Sequence, residues 1–202
     1  MVETPRRGVS TFQCMQPKFK NKYKIKSARL SGYDYSHNGM YFITICTKDR
    51  QEFFGRVENG EMVLSDMGKI IQDELLQTPK IRPNVKLDEW VIMPNHIHVI
   101  IEICNARVPV ETPRRGVSTN GNKRGGYNPK WKPNSIGSII NQLKSICTKR
   151  ILKLENVTFA WQSRFYDHII RNEISLDKIR EYIRTNPQMW ERDRNNIENL
   201  WI

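Results

Sequence analysis

Apolar residues recur along the chain with two periods, and the switch between them lays out the elements. Tyr41 to Thr47 (YFITICT) is dense in β-branched and aromatic residues and reads as a strand. The following GRVENGEMVLS carries a hairpin turn at Asn59-Gly60, a dipeptide that accepts two successive positive φ values. From Ser65-Asp66 the period becomes helical, with Met67, Ile70, Ile71, Glu74 and Leu75 in step, and this helix is expected to end near Thr78-Pro79. Val85 to Met93 and His96 to Ile103 form a second pair of strands around a Pro94-Asn95 turn, the latter being the inner one by its apolar content. Ser135 to Leu154 is a second long helix, apolar at Ile136, Ile139, Ile140, Leu143, Ile146, Ile151 and Leu154 and basic on its other face. After Trp161, RFYDHIIR alternates as a last strand, and Ser175 is expected to cap a third helix running to about Asn186.

The order strand, helix, two strands, helix, strand predicts an α+β class: a ferredoxin-like βαββαβ arrangement with an antiparallel sheet and an appended C-terminal helix. At 202 residues the chain suits one domain with appendages. The domain is expected over 27–104 and 135–202. Residues 1–26, with Arg6, Arg7, Lys18, Lys20, Lys22 and Lys24, read as a flexible basic extension, and 105–134, which loses all periodicity, as an inserted disordered loop. Such a fold serves many functions, so the argument for function has to come from a site.

Charge narrows the partner. An excess of 33 Lys+Arg over 21 Asp+Glu, +12 in all, points to a polyanion, and nucleic acid is favoured over an anionic membrane because no basic amphipathic helix stands out. The four cysteines form no Cys-x-x-Cys pair, which argues against a zinc ribbon or a disulfide framework. No apolar run approaches the roughly 18 residues of a membrane span, so a cytoplasmic protein without membrane contact is expected. The basic arm leads into SARLSGYDYSHNG, where Tyr33 and Tyr35 offer rings for bases while Lys and Arg meet phosphates, a combination suited to single strands.

The chemistry concentrates in WVIMPNHIHVIIE. His96 and His98 lie two apart on a strand, so both imidazoles leave one face and Ile97 the other. Together they make two corners of a divalent-metal site; the competing reading is a half-exposed pair on a sheet edge. In EYIRTNP, Tyr182 and Asn186 are four apart and share a helical face. Tyr182 could reach a phosphorus atom while Asn186 supplies an oxygen ligand, and a metal would compensate for the weak nucleophilicity of a phenol with pKa near 10. The competing role for Tyr182 is a flank of the stripe Leu176, Ile179, Ile183. Tyr166 is a rival nucleophile, and His168 a further ligand or a plain strand residue.

MPNHIH, WQSRFYDHIIRNE and YIRTNP together resemble the Y1 HUH transposases of the IS200/IS605 type, most closely the REP-associated tyrosine transposases. The loop RLSGYDYSHNGMYFITICT is similar as well, so the resemblance spans most of Arg29 to Trp190 apart from the insertion. It implies His96, His98 and Asn186 as metal ligands for Mg²⁺ or Mn²⁺ and Tyr182 as catalytic residue, although the insertion-sequence branch carries glutamine where Asn186 stands. It also implies a single-stranded DNA endonuclease and strand transferase working beside hairpins through a 5′-phosphotyrosine intermediate, as monomer or homodimer. The alternative is a catalytically inactive regulator that binds hairpin DNA on the same fold; a metal-dependent RNA nuclease is a third reading. Arg29, Tyr33, Tyr35, Trp161, Gln162 and Arg164 are the candidate DNA contacts.

One motif is independent of the fold. VETPRRGVST occurs at 2–11 and again at 110–119. Pairing its residues from the ends inward, with the four-fold codon boxes for Ser and Arg, gives first-two-base pairs GT with AC, GA with TC, AC with GT, CC with GG and CG with CG. Each is the reverse complement of its partner, and a coding strand such as GTAGAGACGCCCCGCCGGGGCGTCTCTACA folds back on itself. Both copies are therefore expected to be translated DNA palindromes. Sequencing the gene checks this: the third codon bases should preserve the pairing in both copies, and synonymous codons that break it would end the idea.

Overall fold

The computed structural model describes residues 30, 32–104, 132, 134–193 and 195–196. The basic arm, Arg29, both decapeptide copies and nearly all of the 105–134 insertion lie outside them.

Six strands and three helices follow in the order β1 (Gly39–Cys46), β2 (Gly55–Glu58), β3 (Glu61–Leu64), α1 (Asp66–Ile81), β4 (Val85–Met93), β5 (His96–Ile103), α2 (Ile136–Ile151), β6 (Tyr166–Ile170) and α3 (Glu173–Thr185), after which Pro187–Arg192 makes a 3-10 segment. Four strands form one sheet in the order β4-β5-β1-β6, antiparallel at every pairing. β2 and β3 form a separate ribbon, closed by Asn59 and Gly60 with φ of 52° and 77°. β5 is an interior strand, which is why its run IHVIIEI carries so little polar content.

Alternation sorts the side chains to two faces. Tyr41, Ile43 and Ile45 of β1 and Ile97, Val99 and Ile101 of β5 pack with Ile71 and Leu75 of α1 and Ile136, Ile139, Ile140, Leu143 and Ile151 of α2. On the opposite face Phe42, Ile100 and Ile170 meet Leu176 and Ile183 of α3. Ile97 is thus committed to one core while its two histidine neighbours turn to the other face.

Two helix ends differ from the sequence expectation. α1 runs past Pro79 to Ile81, and beside the proline the Thr78 hydroxyl donates to the Glu74 carbonyl. α3 is capped by Asn172 rather than Ser175: the Asn172 side chain accepts from the Ser175 N–H at 2.8 Å. Asn172 outcompetes the serine because it stands at the extended residue just before the first helical turn, where an acceptor is needed. Ser135 caps α2 as expected, and that helix ends at Ile151, short of Leu154.

α3 is fastened over β4 by charge as well as by its apolar stripe. Arg180 donates to both carboxylate oxygens of Asp88, at 2.8 and 2.6 Å, and Arg184 donates to Glu89 at 3.0 and 2.8 Å. Tyr182 lies on the turn between these two anchors. Hydrogen bonding to Arg180 holds the Asp88 carboxyl below the usual carboxylate range. A depressed folded-state value contributes stability above the unfolded value near 4, and that contribution is lost as pH falls through the folded value. Arg180→Ala should therefore lower the unfolding free energy at neutral pH, modestly because solvent screens a partly exposed pair. Urea unfolding should show the difference shrinking as the medium is acidified below the carboxylate range; a gap independent of pH would assign the loss to something other than the ion pair.

Candidate metal centre and tyrosine

β5 places His96 opposite Cys46 of β1 and Met93 of β4, and His98 opposite Thr44 and Val91. Both imidazoles are completely buried, so the half-exposed edge pair is not what forms. Phe42 stacks on His98 with centroids 5.3 Å apart, and Trp190 of the 3-10 segment lies 6.0 Å from His96. The two Nε2 atoms are 3.0 Å apart. Nitrogens at that separation need a shared proton or a shared cation, because two lone pairs facing each other in a dry site repel.

The other ring nitrogens decide which nitrogen atoms present lone pairs. Asn95, fully buried, donates from Nδ2 to the Arg50 carbonyl at 3.1 Å and to the Asn195 carbonyl at 2.8 Å. Those two acceptors fix the amide so that its oxygen meets His96 Nδ1 at 2.8 Å, which must then carry the hydrogen. His96 Nε2 is left with a lone pair directed at the site, the arrangement of a metal-binding imidazole held by an outer hydrogen bond. His98 Nδ1 meets the Thr44 hydroxyl at 2.9 Å. A hydroxyl both donates and accepts, so Thr44 serves either His98 tautomer.

Two groups complete the cluster. The Tyr182 hydroxyl lies 3.1 Å from His98 Nε2, its ring set edge-on to Phe42 at 6.1 Å, with the residue 40% exposed. Asp193 comes from beyond the 3-10 segment: His96, His98 and Asp193 each offer a ligand atom, all within 4.8 Å of one another, so the three could hold a metal ion. Asn186 donates from Nδ2 to Asp193 Oδ2 at 3.2 Å, and its own Oδ1 is buried without a hydrogen-bond partner. A buried amide oxygen left unpaired costs on the order of 1–3 kcal/mol and is the kind of donor that a hard cation takes up.

The remaining candidates separate. Tyr166 sits on the same face, edge-on to Phe42 at 6.4 Å, while the phenol that reaches the histidines is that of Tyr182. His168 lies opposite Phe42 and is exposed. Gln162 and Arg164 are exposed beside the histidine end of the sheet, the Gln162 N–H donating to the Cys46 carbonyl. Trp161 is packed against Phe54 and Phe159, with its indole N–H donated to Lys144 and Thr148. Tyr33 and Tyr35 join Tyr41 in an aromatic group at the Gly39 end of β1, on the helix-covered face and away from the histidines. Asp193 and the bracing role of Asn95 were not foreseen. Asp193 stands in QMWERDRNN, where no period marks it out; Asn95 was legible only as a turn residue.

With this geometry in hand, similarity to known proteins is informative. Among solved structures, that of a REP-associated tyrosine transposase bound to a REP hairpin matches with a TM-score of 0.50 and 18% identity, over 88% of this chain and 76% of that one, so the fold is shared. A candidate transposase of Deinococcus radiodurans is more distant, with a TM-score of 0.40 and 15% identity over 77% of this chain and 95% of that one. A protein of Haemophilus influenzae, itself uncharacterized, is 37% identical over 179 residues, which is 84% of this chain and 91% of its own length. The chain belongs to the same family as that protein. No family model matches the chain.

Removing the Asn95 amide should release the His96 ring. Asn95→Ala is expected to weaken Mn²⁺ binding, measured by titration calorimetry, by about 10- to 100-fold. Nitrogen NMR of the metal-free protein should show His96 losing its fixed Nδ1–H tautomer. Unchanged affinity and an unchanged tautomer would remove Asn95 from the centre.

Proposed function

We propose that the chain is a metal-dependent single-stranded DNA endonuclease and strand transferase of transposase type, built on a ferredoxin-like βαββαβ domain over 27–104 and 135–202 and working in the cytoplasm. The observation that carries the reading is the Tyr182 hydroxyl at 3.1 Å from a histidine nitrogen that itself faces a second histidine at 3.0 Å. A nucleophile and a candidate metal pair meet inside one chain, so no second copy is required to assemble the site.

In this reading His96, His98, Asp193 and Asn186 hold Mg²⁺ or Mn²⁺; the carboxylate and amide oxygens suit these hard cations. When bound, the cation supplies electrostatic stabilisation of the charge that develops on the phosphate oxygens. Tyr182 provides the covalent step. Its oxygen attacks phosphorus and gives its proton to water, the bond from phosphorus to the 3′-oxygen breaks, and that oxygen takes up a proton. The products are a 5′-phosphotyrosine and a free 3′-hydroxyl, so the energy of the broken ester stays in the new one and the strand can be rejoined. Phe42 and α3 hold the phenol in place from behind, and Arg180 and Arg184 fix the helix that delivers it.

Hairpin DNA is the proposed partner on three grounds: the net charge of +12, the palindrome that the repeated decapeptide is expected to encode, and the hairpin held by the structural neighbour. Gln162 and Arg164 are exposed beside the site and suit phosphate or base contact. Arg29, Tyr33, Tyr35 and Trp161 stay with the proposal as more remote contacts, the basic arm 1–26 and the insertion 105–134 as its appendages.

The test is a hairpin oligonucleotide with single-stranded flanks, incubated with Mn²⁺ and run on a denaturing gel. The wild type should form a covalent protein–DNA adduct that chelator prevents. Tyr182→Phe should form none while binding the hairpin with unchanged affinity, and full cleavage by that variant would refute the assignment. Hairpin binding without nicks at any metal concentration would identify a regulator instead.

A further inference from the structure

α3 covers the sheet on the β4 side, through Leu176 and Ile183 and the Asp88 and Glu89 ion pairs. At the other side of the sheet β6 is the edge strand, and among the described residues no further strand pairs with it. Tyr166 is 42% exposed there, and the residues leading to it, Gln162, Ser163 and Arg164, are all exposed. Strand register puts Tyr166 in the row of the reactive centre: Thr44 is the partner of Tyr166 on one side and of His98 on the other. Two interstrand steps separate Tyr166 from His98, about 9–10 Å at ordinary sheet spacing. Phe42 floors the gap, edge-on to Tyr166 at 6.4 Å and to Tyr182 at 6.1 Å.

We infer that Tyr166 is a stacking platform for an unpaired nucleobase of the substrate strand, close to the phosphate attacked by Tyr182. The inference rests on the single-stranded DNA reading above and adds a base subsite to it. A strand whose phosphate lies against Tyr182 has α3 on one side and, among the described residues, Thr44 and Phe42 leading to the edge strand β6 on the other. The exposed ring on that course is Tyr166, set edge-on to Phe42, which is itself buried. Tyrosine loses little side-chain entropy on stacking, and a base–aromatic contact takes any base, so the site fixes strand position without reading sequence. Arg164, two residues away on the same exposed edge, supplies the charge that a backbone phosphate needs.

The test is binding of the decapeptide-encoded hairpin with single-stranded flanks, measured by fluorescence anisotropy in chelator so that no cleavage intervenes. Each flank nucleotide is replaced in turn by an abasic one. For the wild type, one position should cost about tenfold in affinity, the worth of a single stacked base. Tyr166→Thr, which keeps β-propensity and removes the ring, should weaken binding of the intact oligonucleotide by the same factor and flatten the abasic profile. Tyr166→Phe should restore the penalty at the same position, since stacking needs the ring and not the hydroxyl. Persistence of the abasic penalty in Tyr166→Thr, or wild-type affinity of that variant for every oligonucleotide, would overturn the inference and leave the functional reading standing. Failure of the folded wild type to bind any hairpin would overturn the functional reading, and this subsite with it.

Discussion

Two buried imidazole nitrogens 3.0 Å apart form the constraint from which the rest of the structure takes its sense. In solvent such a pair would separate or be bridged by water. Here the rings are held together: the flat interior of a sheet sets their spacing, and each outer nitrogen is met by a polar partner. Asn95 and Thr44 decide what the two imidazoles present to the site. The two differ in character, since Asn95 permits one tautomer of His96 and Thr44 tolerates both of His98. One histidine is rigidly poised and the other can adapt between a hydrogen bond and a metal bond.

The fold delivers this pair by placing β5 inside the sheet. β5 is paired along both edges and covered on both faces, by α1 and α2 on one and α3 on the other, so a polar residue on it has to be partnered, and partners arrive from three separate parts of the chain. β1 brings Thr44 and Phe42, α3 brings Tyr182, and the segment beyond the 3-10 turn brings Asp193 and the carbonyl of Asn195. Asn95 links the last of these to the first strand pair, because the amide that orients His96 also holds the segment carrying the carboxylate. Ligand geometry and chain path are thereby coupled through one side chain.

Much of this was legible in the sequence, for physical reasons that differ from element to element. β4 and β5 were bounded correctly because Pro94-Asn95 punctuates two runs rich in β-branched and apolar residues, and the strict alternation His96-Ile97-His98 gave the facing of both imidazoles. Asn59-Gly60 marked its hairpin by backbone chemistry alone. The helix ends were harder. A proline weakens a helix without always ending it, and α1 runs on from Pro79 to Ile81. Asn172 and Ser175 are both good caps, and only tertiary geometry chooses between them. Asp193 could not be found, because a carboxylate becomes a ligand by position in space. Its segment has no hydrophobic period from which a position could be computed.

The long insertion offers a last consequence. Chain leaves the sheet for it after Ile103, which pairs with Gly39, and returns through Ile136, whose N–H meets the Tyr35 carbonyl. Both junctions are therefore at the end of the sheet remote from the histidines, a full strand length from the tyrosine. A long connection closed at that end costs loop entropy that grows only slowly with its length. An affinity handle or fluorophore joined next to Cys104 would therefore report on the molecule from the end of the sheet remote from His96, His98 and Tyr182.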